Sequence, residues 1–210
     1  KARVPQSRLR LCANPALEPR KEAVMPTHCA DPLSLEFVET PSPIGTLLFA
    51  ATSRGLVRIA FESDDLEAMK ALTEAQLRKA AHASVQAPAF EPHEVLSAAK
   101  DQILDFLDGN RRTFSFPLDR SLSQGFRRAV HEANEQIGFG ERLRYRWIAE
   151  RAGSPKAVRA VGTACGTNPL PIVVPCHRVI KSDGSLGGFS GGIEKKRFLL
   201  ALEEGGAPRA

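Results

Sequence analysis

Leu170-Pro171-Ile172-Val173-Val174-Pro175-Cys176-His177-Arg178 joins an apolar, partly β-branched run to a proline, a cysteine and a histidine. A run of this kind reads as a short buried strand closed by Pro175. Cys176 then sits on backbone held by the core and open on one side, which suits a nucleophile. A thiol attacks as the thiolate, and a neighbouring histidine is a common way to form one at neutral pH. Adjacent side chains on a strand point to opposite faces. For His177 to serve Cys176, the backbone must turn between them or a water must bridge the gap. By itself a Cys-His pair more often marks a packed thiol beside a surface imidazole.

The flanking sequence is more specific. Gly153-Ser154-Pro155-Lys156-Ala157-Val158-Arg159-Ala160-Val161-Gly162 and Asn168-Pro169 precede the motif. Asp183-Gly184-Ser185-Leu186-Gly187-Gly188-Phe189-Ser190-Gly191-Gly192 follows it. These blocks, in this order and spacing, closely resemble the O6-alkylguanine-DNA alkyltransferases, also called methylated-DNA–protein-cysteine methyltransferases. The resemblance is dense from about Gly125 to Glu203 and looser back to about Leu33. It implies an N-terminal α/β domain, ribonuclease H-like and largely structural, at residues 33–119. A mainly α-helical C-terminal domain with a winged helix-turn-helix-like DNA-binding unit is expected at residues 120–210.

Charge follows the same division. Residues 33–119 hold 8 Lys and Arg against 13 Asp and Glu, whereas residues 120–210 hold 15 against 8. Positive charge therefore accompanies the cysteine motif, and basic patches attract polyanions. A hydrophobic fraction of 42% with 25% charged residues is ordinary for a soluble globular protein. No apolar run approaches the length of a bilayer span. The four cysteines, Cys12, Cys29, Cys165 and Cys176, lack disulfide-scaffold spacing. A nucleophilic thiol also needs a reducing compartment, so a cytoplasmic protein is expected.

Residues 1–32 combine arginines with five prolines and read as a disordered extension. Cys12, His28 and Cys29 have poor ligand spacing, so no metal site is expected. From Leu33, three strands are predicted: Leu35–Glu39, Thr46–Ala51 and Leu56–Phe61. Asp64-Asp65 is placed to cap a helix with Leu66, Met69, Leu72 and Leu77 inward. A second helix is predicted from Glu94 to Leu107, stopped by Gly109. Phe114–Leu118 alternates like a further strand. The second domain begins near Gln124, and Phe126, Val130, Ala133 and Ile137 fall at the near-helical spacing of a helix ended by Gly138-Phe139-Gly140. His131 falls on this helix where relatives usually carry tryptophan, which puts local packing in question.

Tyr145–Arg151 reads as a short helix followed by a turn at Gly153. Ser154 is a good N-cap and Pro155 suits the first helical position of the next helix. Two short helices across a tight turn suggest a helix-turn-helix. At 100° per residue, Val158, Val161 and Cys165 fall on the side expected to face the core. Lys156, Ala157, Ala160, Thr163 and Ala164 fall on the outer side, with Arg159 at its edge. Alanines cannot read the major groove as long polar side chains do. Such a face can press into the minor groove with little sequence preference. The resemblance implies that mode on double-stranded DNA, with Arg159 inserted where the target base leaves.

The resemblance also implies the chemistry. The target nucleotide flips out of the duplex, and Cys176 takes the alkyl group from O6-alkylguanine once, by SN2 displacement. O4-alkylthymine is a further substrate to consider. His177 deprotonates Cys176 through a water, Glu203 orients His177, and Tyr145 protonates the departing guanine. Asn168 fixes the loop before the cysteine. Ser190 and Gly191, in the glycine-rich loop, face the flipped base, with Ser190 presenting its backbone N–H. Val174 and Pro175 offer backbone carbonyls. Phe189 replaces a tyrosine common in relatives. A monomer acting without a cofactor is expected. Three other readings are an alkyltransferase-like DNA binder without transfer, a fragment of an adaptive-response transcription regulator, and a cysteine hydrolase. Cys176 argues against the first, the short segment 1–32 against the second, and the missing oxyanion-hole signature against the third.

Overall fold

The computed structural model describes residues 34–80 and 90–205. The extension expected at residues 1–32, with Cys12, His28 and Cys29, lies outside the described residues. Strands β1 (Leu35–Thr40), β2 (Leu47–Thr52) and β3 (Gly55–Phe61) form an antiparallel sheet in that order. Every residue of β2 and β3 is buried, as their apolar composition requires. The β2–β3 turn depends on Gly55, whose φ of +136° suits glycine and whose backbone lies against Pro117.

Helix α1 (Leu66–Ala80) starts where Asp65 Oδ1 accepts from the Ala68 N–H at 3.0 Å. Its inner stripe is Thr73, Leu77 and Ala80, at the i, i+4, i+7 spacing of one helix face. Leu72, predicted inward, lies one position off that stripe and is 44% exposed. Helix α2 (Pro92–Leu107) buries Val95, Leu96, Ala99, Ile103, Phe106 and Leu107 against the sheet. Each such fully buried Leu or Phe contributes about 1.5–3 kcal/mol. Gly109 follows the helix at φ +80°, as the predicted stop requires.

Phe114–Leu118 does not form the predicted strand; only Leu118 bridges to Leu56. Pro117 has no N–H to donate, so pairing stops at the bonds Leu56 N–H to Pro117 O and Asp119 N–H to Leu56 O.

The remaining elements are α3 (Gly125–Glu135), β4 (Leu143–Arg144), α4 (Tyr145–Arg151), α5 (Val158–Gly166), β5 (Val179–Ile180) and α6 (Ile193–Glu203). Strands β4 and β5 pair in parallel. Helix α5 begins three residues later than predicted. Ser154 is held as the start of a turn, donating to Ala149 O and accepting from the Ala157 N–H, so Lys156 and Ala157 precede the helix. The buried stripe of α5 is Val161, Ala164 and Cys165, at i, i+3 and i+4. Ala164 therefore faces the core rather than the outside, and Val158, in the first turn, is 38% exposed.

His131 is buried and fully bonded, with Nδ1 2.8 Å from Ser123 Oγ and Nε2 3.0 Å from Ala164 O. A carbonyl only accepts, so Nε2 carries the proton and Nδ1 accepts from the serine hydroxyl. The histidine thus ties α3 to α5 instead of disturbing their packing. Among the described residues, no helix is long and apolar enough to cross a membrane.

Two apolar clusters meet at the cysteine. One holds the sheet, α2, and Leu170, Ile172 and Val174; the other holds α3, α4 and α5 residues with Cys176 and Val179. The cysteine segment thus crosses from one core to the other within a few residues.

Candidate active site at the seam of two cores

Leu170–Val174 is buried as predicted except at the half-buried Val173, but it forms a turn instead of a strand. The Val174 N–H closes onto Leu170 O at 2.8 Å, and Ile172 adopts φ +74°. Pro171 offers no N–H for a ladder. Asn168 holds the turn from inside: its Nδ2 donates to Val174 O at 2.8 Å and its Oδ1 accepts from the Leu170 N–H at 3.0 Å. The same Nδ2 lies 3.2 Å from Cys176 Sγ. One amide therefore fixes the loop and touches the thiol.

Cys176–Arg178 is a single 3-10 turn, which removes the opposite-face problem of a strand. Both Cys176 and His177 are buried. His177 Nε2 lies 2.8 Å from Glu203 Oε1, on the last turn of α6. Glu203 also accepts from Arg178 Nε and Nη2 at 3.0 and 2.8 Å and from the Gly140 N–H at 3.2 Å. Burial alone would push this carboxyl up, but the bonds from His177 and Arg178 win and hold it down at about 2. An ionised carboxylate only accepts, so His177 carries its proton on Nε2. Nδ1 is then a bare acceptor, and among the described residues it has no hydrogen-bond partner.

The resting thiol is neutral. Burial pushes Cys176 up to about 12, with Cys165 adding to it, against the Asn168 amide and the Lys196 ammonium. Burial also lowers His177, against the pull of Glu203, so its ring is neutral at rest. A neutral thiol beside a neutral imidazole backed by a carboxylate can pass its proton when an electrophile arrives.

Tyr145 opens α4 directly after β4, which pairs with β5, and β5 directly follows the Cys176 turn. Its hydroxyl approaches Gly187 so closely that a Cβ there would collide with it. Burial pushes the phenol up to about 12, so it is a protonated donor near neutral pH. Val174 O already accepts two donors, Asn168 Nδ2 and the Cys176 N–H, whereas Pro175 O accepts from the Arg178 N–H. Gly191 is buried, and Ser190 Oγ is buried without a partner among the described residues. Phe189 sets its ring edge-on to His177, centroids 6.4 Å apart.

Arg159, Lys156, Ala160 and Thr163 are exposed and Ala157 is half-buried, so the second group of predicted residues forms a surface instead of joining the pocket. Arg178 and Lys196 were not assigned roles from sequence. Arg178 pairs with Glu203 and donates to Ile137 O at 2.6 Å. Lys196 is fully buried, and its Nζ donates to Val179 O at 2.7 Å. Lys196 looks solvated within Lys195-Lys196-Arg197. Its spacing from Leu199, Leu200 and Glu203 is the helical signal that marks it as inward.

Residues 125–205 match the family model described as 6-O-methylguanine DNA methyltransferase, DNA binding domain. Residues 39–120 match its companion, the ribonuclease-like domain. A methylated-DNA–protein-cysteine methyltransferase of Haemophilus influenzae is 34% identical over 81% of this chain and 87% of its own. The chain belongs to the 6-O-methylguanine DNA methyltransferase family. A constitutive member from Bacillus subtilis is 36% identical over 80% of this chain and 94% of its own. Among solved structures, the O6-methylguanine methyltransferase of Mycobacterium tuberculosis superposes with a TM-score of 0.64 at 33% identity, covering 84% of this chain and 96% of the other. A structure of the M. tuberculosis protein in complex with DNA gives 0.62 at 34% identity, over 83% and 94%. The family architecture is thus a small N-terminal sheet domain followed by a helical DNA-binding domain.

Proposed function

We propose that this chain repairs DNA directly, moving the alkyl group of O6-alkylguanine irreversibly onto Cys176. The observation that carries the reading is the buried chain Cys176, His177, Glu203, in which the carboxylate leaves His177 Nδ1 free to accept. A stacked base hides its alkyl carbon, so the nucleotide is extruded first. The Cys176 proton passes to Nδ1 of His177 through a water as sulfur attacks the alkyl carbon. An S–C bond forms, the C–O6 bond breaks, and its electron pair leaves with guanine. Tyr145 supplies a proton to the purine ring, and the proton held on His177 restores the balance. Atoms and electrons close with thiol and alkylguanine alone, and the thioether is too poor a leaving group to regenerate the thiol. Each molecule therefore acts once. O4-alkylthymine would present the same kind of alkyl carbon.

Asn168 is assigned to hold the cysteine loop, and Ser190, Gly191, Val174 and Pro175 to border the flipped base. Because Val174 O already has two donors, Pro175 O is the stronger acceptor for the guanine amino group. For DNA, the exposed Arg159 fills the gap left by the base, while Lys156, Ala157, Ala160 and Thr163 meet the minor groove. Helices α4 and α5, with β5 and the Ile180–Leu186 bridge beside them, support a winged helix-turn-helix-like unit. The three-stranded antiparallel sheet under α2 fits a ribonuclease H-like N-terminal domain. A monomer in a reducing compartment such as the cytoplasm suffices for this chemistry.

Incubation with duplex containing O6-methylguanine, followed by peptide mass spectrometry, tests the reading. One addition of about 14 Da at Cys176 per molecule is expected. Multiple turnovers, or methyl on Cys165, would overturn it.

A further inference from the structure

The glycine-rich loop has little means of fixing its own shape. Gly187, Gly188, Gly191 and Gly192 bring no side chains, and Gly192 N–H to Phe189 O is its one internal closure among the described backbone bonds. It must therefore borrow packing from elsewhere. The N-terminal domain, expected to be largely structural, supplies that packing at the end of β3.

Phe61 is the last residue of β3 and is completely buried. A Cβ placed on Gly191 would lie 2.7–2.9 Å from three atoms of the Phe61 ring, so the loop backbone rests directly on that ring. Phe189, in the same loop, stacks on it at 5.5 Å with a 58° tilt. Phe189 also lies edge-on to His177. Lys195, just past the loop, places its ammonium 5.8 Å from the Phe61 ring centre. Two residues earlier on the same edge strand, the Ile59 N–H donates to Pro169 O at 2.8 Å, next to Asn168. The outer edge of β3 therefore touches both loops that border Cys176.

We infer that Phe61 is a positioning residue for substrate capture: the N-terminal domain sets the pocket's shape through this ring, on which the glycine-rich loop rests. This builds on the reading of Cys176 as alkyl acceptor. Phe61 touches no reacting atom and acts through Phe189 and Gly191. Its loss should weaken capture of a substrate without altering the thiol's reactivity once that substrate is seated.

Phe61→Leu removes the ring while keeping an apolar side chain, so the core should survive. In the unreacted full-length variant, hydrogen exchange at amides 187–192 should accelerate while exchange in β1 and β2 stays as in the parent. With free O6-benzylguanine, the half-saturating concentration should rise about two- to tenfold, the range an aromatic pair is worth, at an unchanged limiting rate. Gly191→Ala should show the same defect, and combining it with Phe61→Ala should recover part of the loss, since the collision is then gone. Unchanged loop exchange with only a lower melting temperature would make Phe61 a plain core residue. A fall in limiting rate at unchanged half-saturation, or strictly additive losses in the double variant, would also overturn the inference. If the parent itself fails to alkylate Cys176, the repair reading falls, while the exchange measurement still decides the role of Phe61.

Discussion

His177 donates from Nε2 to Glu203 Oε1 across 2.8 Å, and both side chains are at most 1% exposed. The bond joins the cysteine turn to the last turn of α6, and it fixes which ring nitrogen remains free. Glu203→Gln tests it. The amide retains the shape but lets either tautomer of His177 persist, and it leaves the buried Arg178 without its counter-ion. Single-turnover transfer should fall at least about 100-fold, by analogy with removing the carboxylate behind a catalytic histidine. Thermal unfolding should show a loss of about 3–5 kcal/mol from the broken buried pair. A variant that transfers at the parental rate would remove Glu203 from the relay.

Extrusion and chemistry separate in a comparison of Arg159→Ala with Cys176→Ala. Arg159 is exposed on α5, whereas Cys176 is buried. Its loss should slow repair of duplex roughly 5- to 150-fold, the rate equivalent of ~1–3 kcal/mol of extrusion cost. Free O6-benzylguanine, which needs no extrusion, should react nearly as with the parent. Cys176→Ala should bind alkylated duplex about as well and transfer nothing to either substrate. Equal loss on both substrates for Arg159→Ala would place Arg159 in the pocket or the fold.

Asn168 is the third point of leverage. Asn168→Ala removes two bonds that hold a turn in which Ile172 sits at φ +74°, and it removes the donor 3.2 Å from Cys176 Sγ. Leaving Val174 O and the Leu170 N–H buried with fewer partners should destabilise the protein by about 1–3 kcal/mol. Asn168→Asp keeps an acceptor for Leu170 but sets a carboxylate against the thiol, opposing thiolate formation. Transfer should therefore slow more in Asp than stability alone explains. Chemical denaturation paired with transfer rates checks this, and parental rates in both variants would contradict it.

Stability should fall on mild acidification. His131 and His177 are both held below their ordinary value, chiefly by burial. Each binds fewer protons in the fold than in the unfolded chain, so stability rises with pH between the folded and unfolded values. The benefit is present above the unfolded value near 6.5 and is lost as pH falls, at up to about 1.4 kcal/mol per unit for each ring. Glu203, held at about 2, adds a second loss between its ordinary 4.5 and that value. Urea midpoints should drop from pH 7 to pH 5, less steeply in His131→Gln. Midpoints that are flat or rising toward pH 5 would refute the assignment.

Local patterns carried much of the architecture. The largely apolar runs at Leu47–Thr52 and Gly55–Phe61 form strands that are buried throughout. Helices α2 and α4 fall where their spacing and punctuation put them. Leu170–Val174 shows the limit of such patterns. A short apolar run fixes burial but not backbone shape, and the side chain of Asn168, with Pro171, bends this one into a turn. His131 is a similar case: sequence set it against a tryptophan-bearing position, and only the fold brought Ser123 and Ala164 within bonding distance.

By itself the sequence determined the family and pointed to Cys176 as the proposed nucleophile with His177 beside it, because those residues are contiguous and their chemistry is local. Through the resemblance it also singled out Asn168 and Glu203 as expected site residues. Only the tertiary structure decided that Arg178 shares Glu203, that Lys196 is buried beneath the cysteine segment, and that Phe61 lies under the glycine-rich loop. Phe61 and Gly191 lie 130 positions apart. Their contact exists because the two apolar clusters must each exclude water, and the chain crosses between them where the cysteine stands.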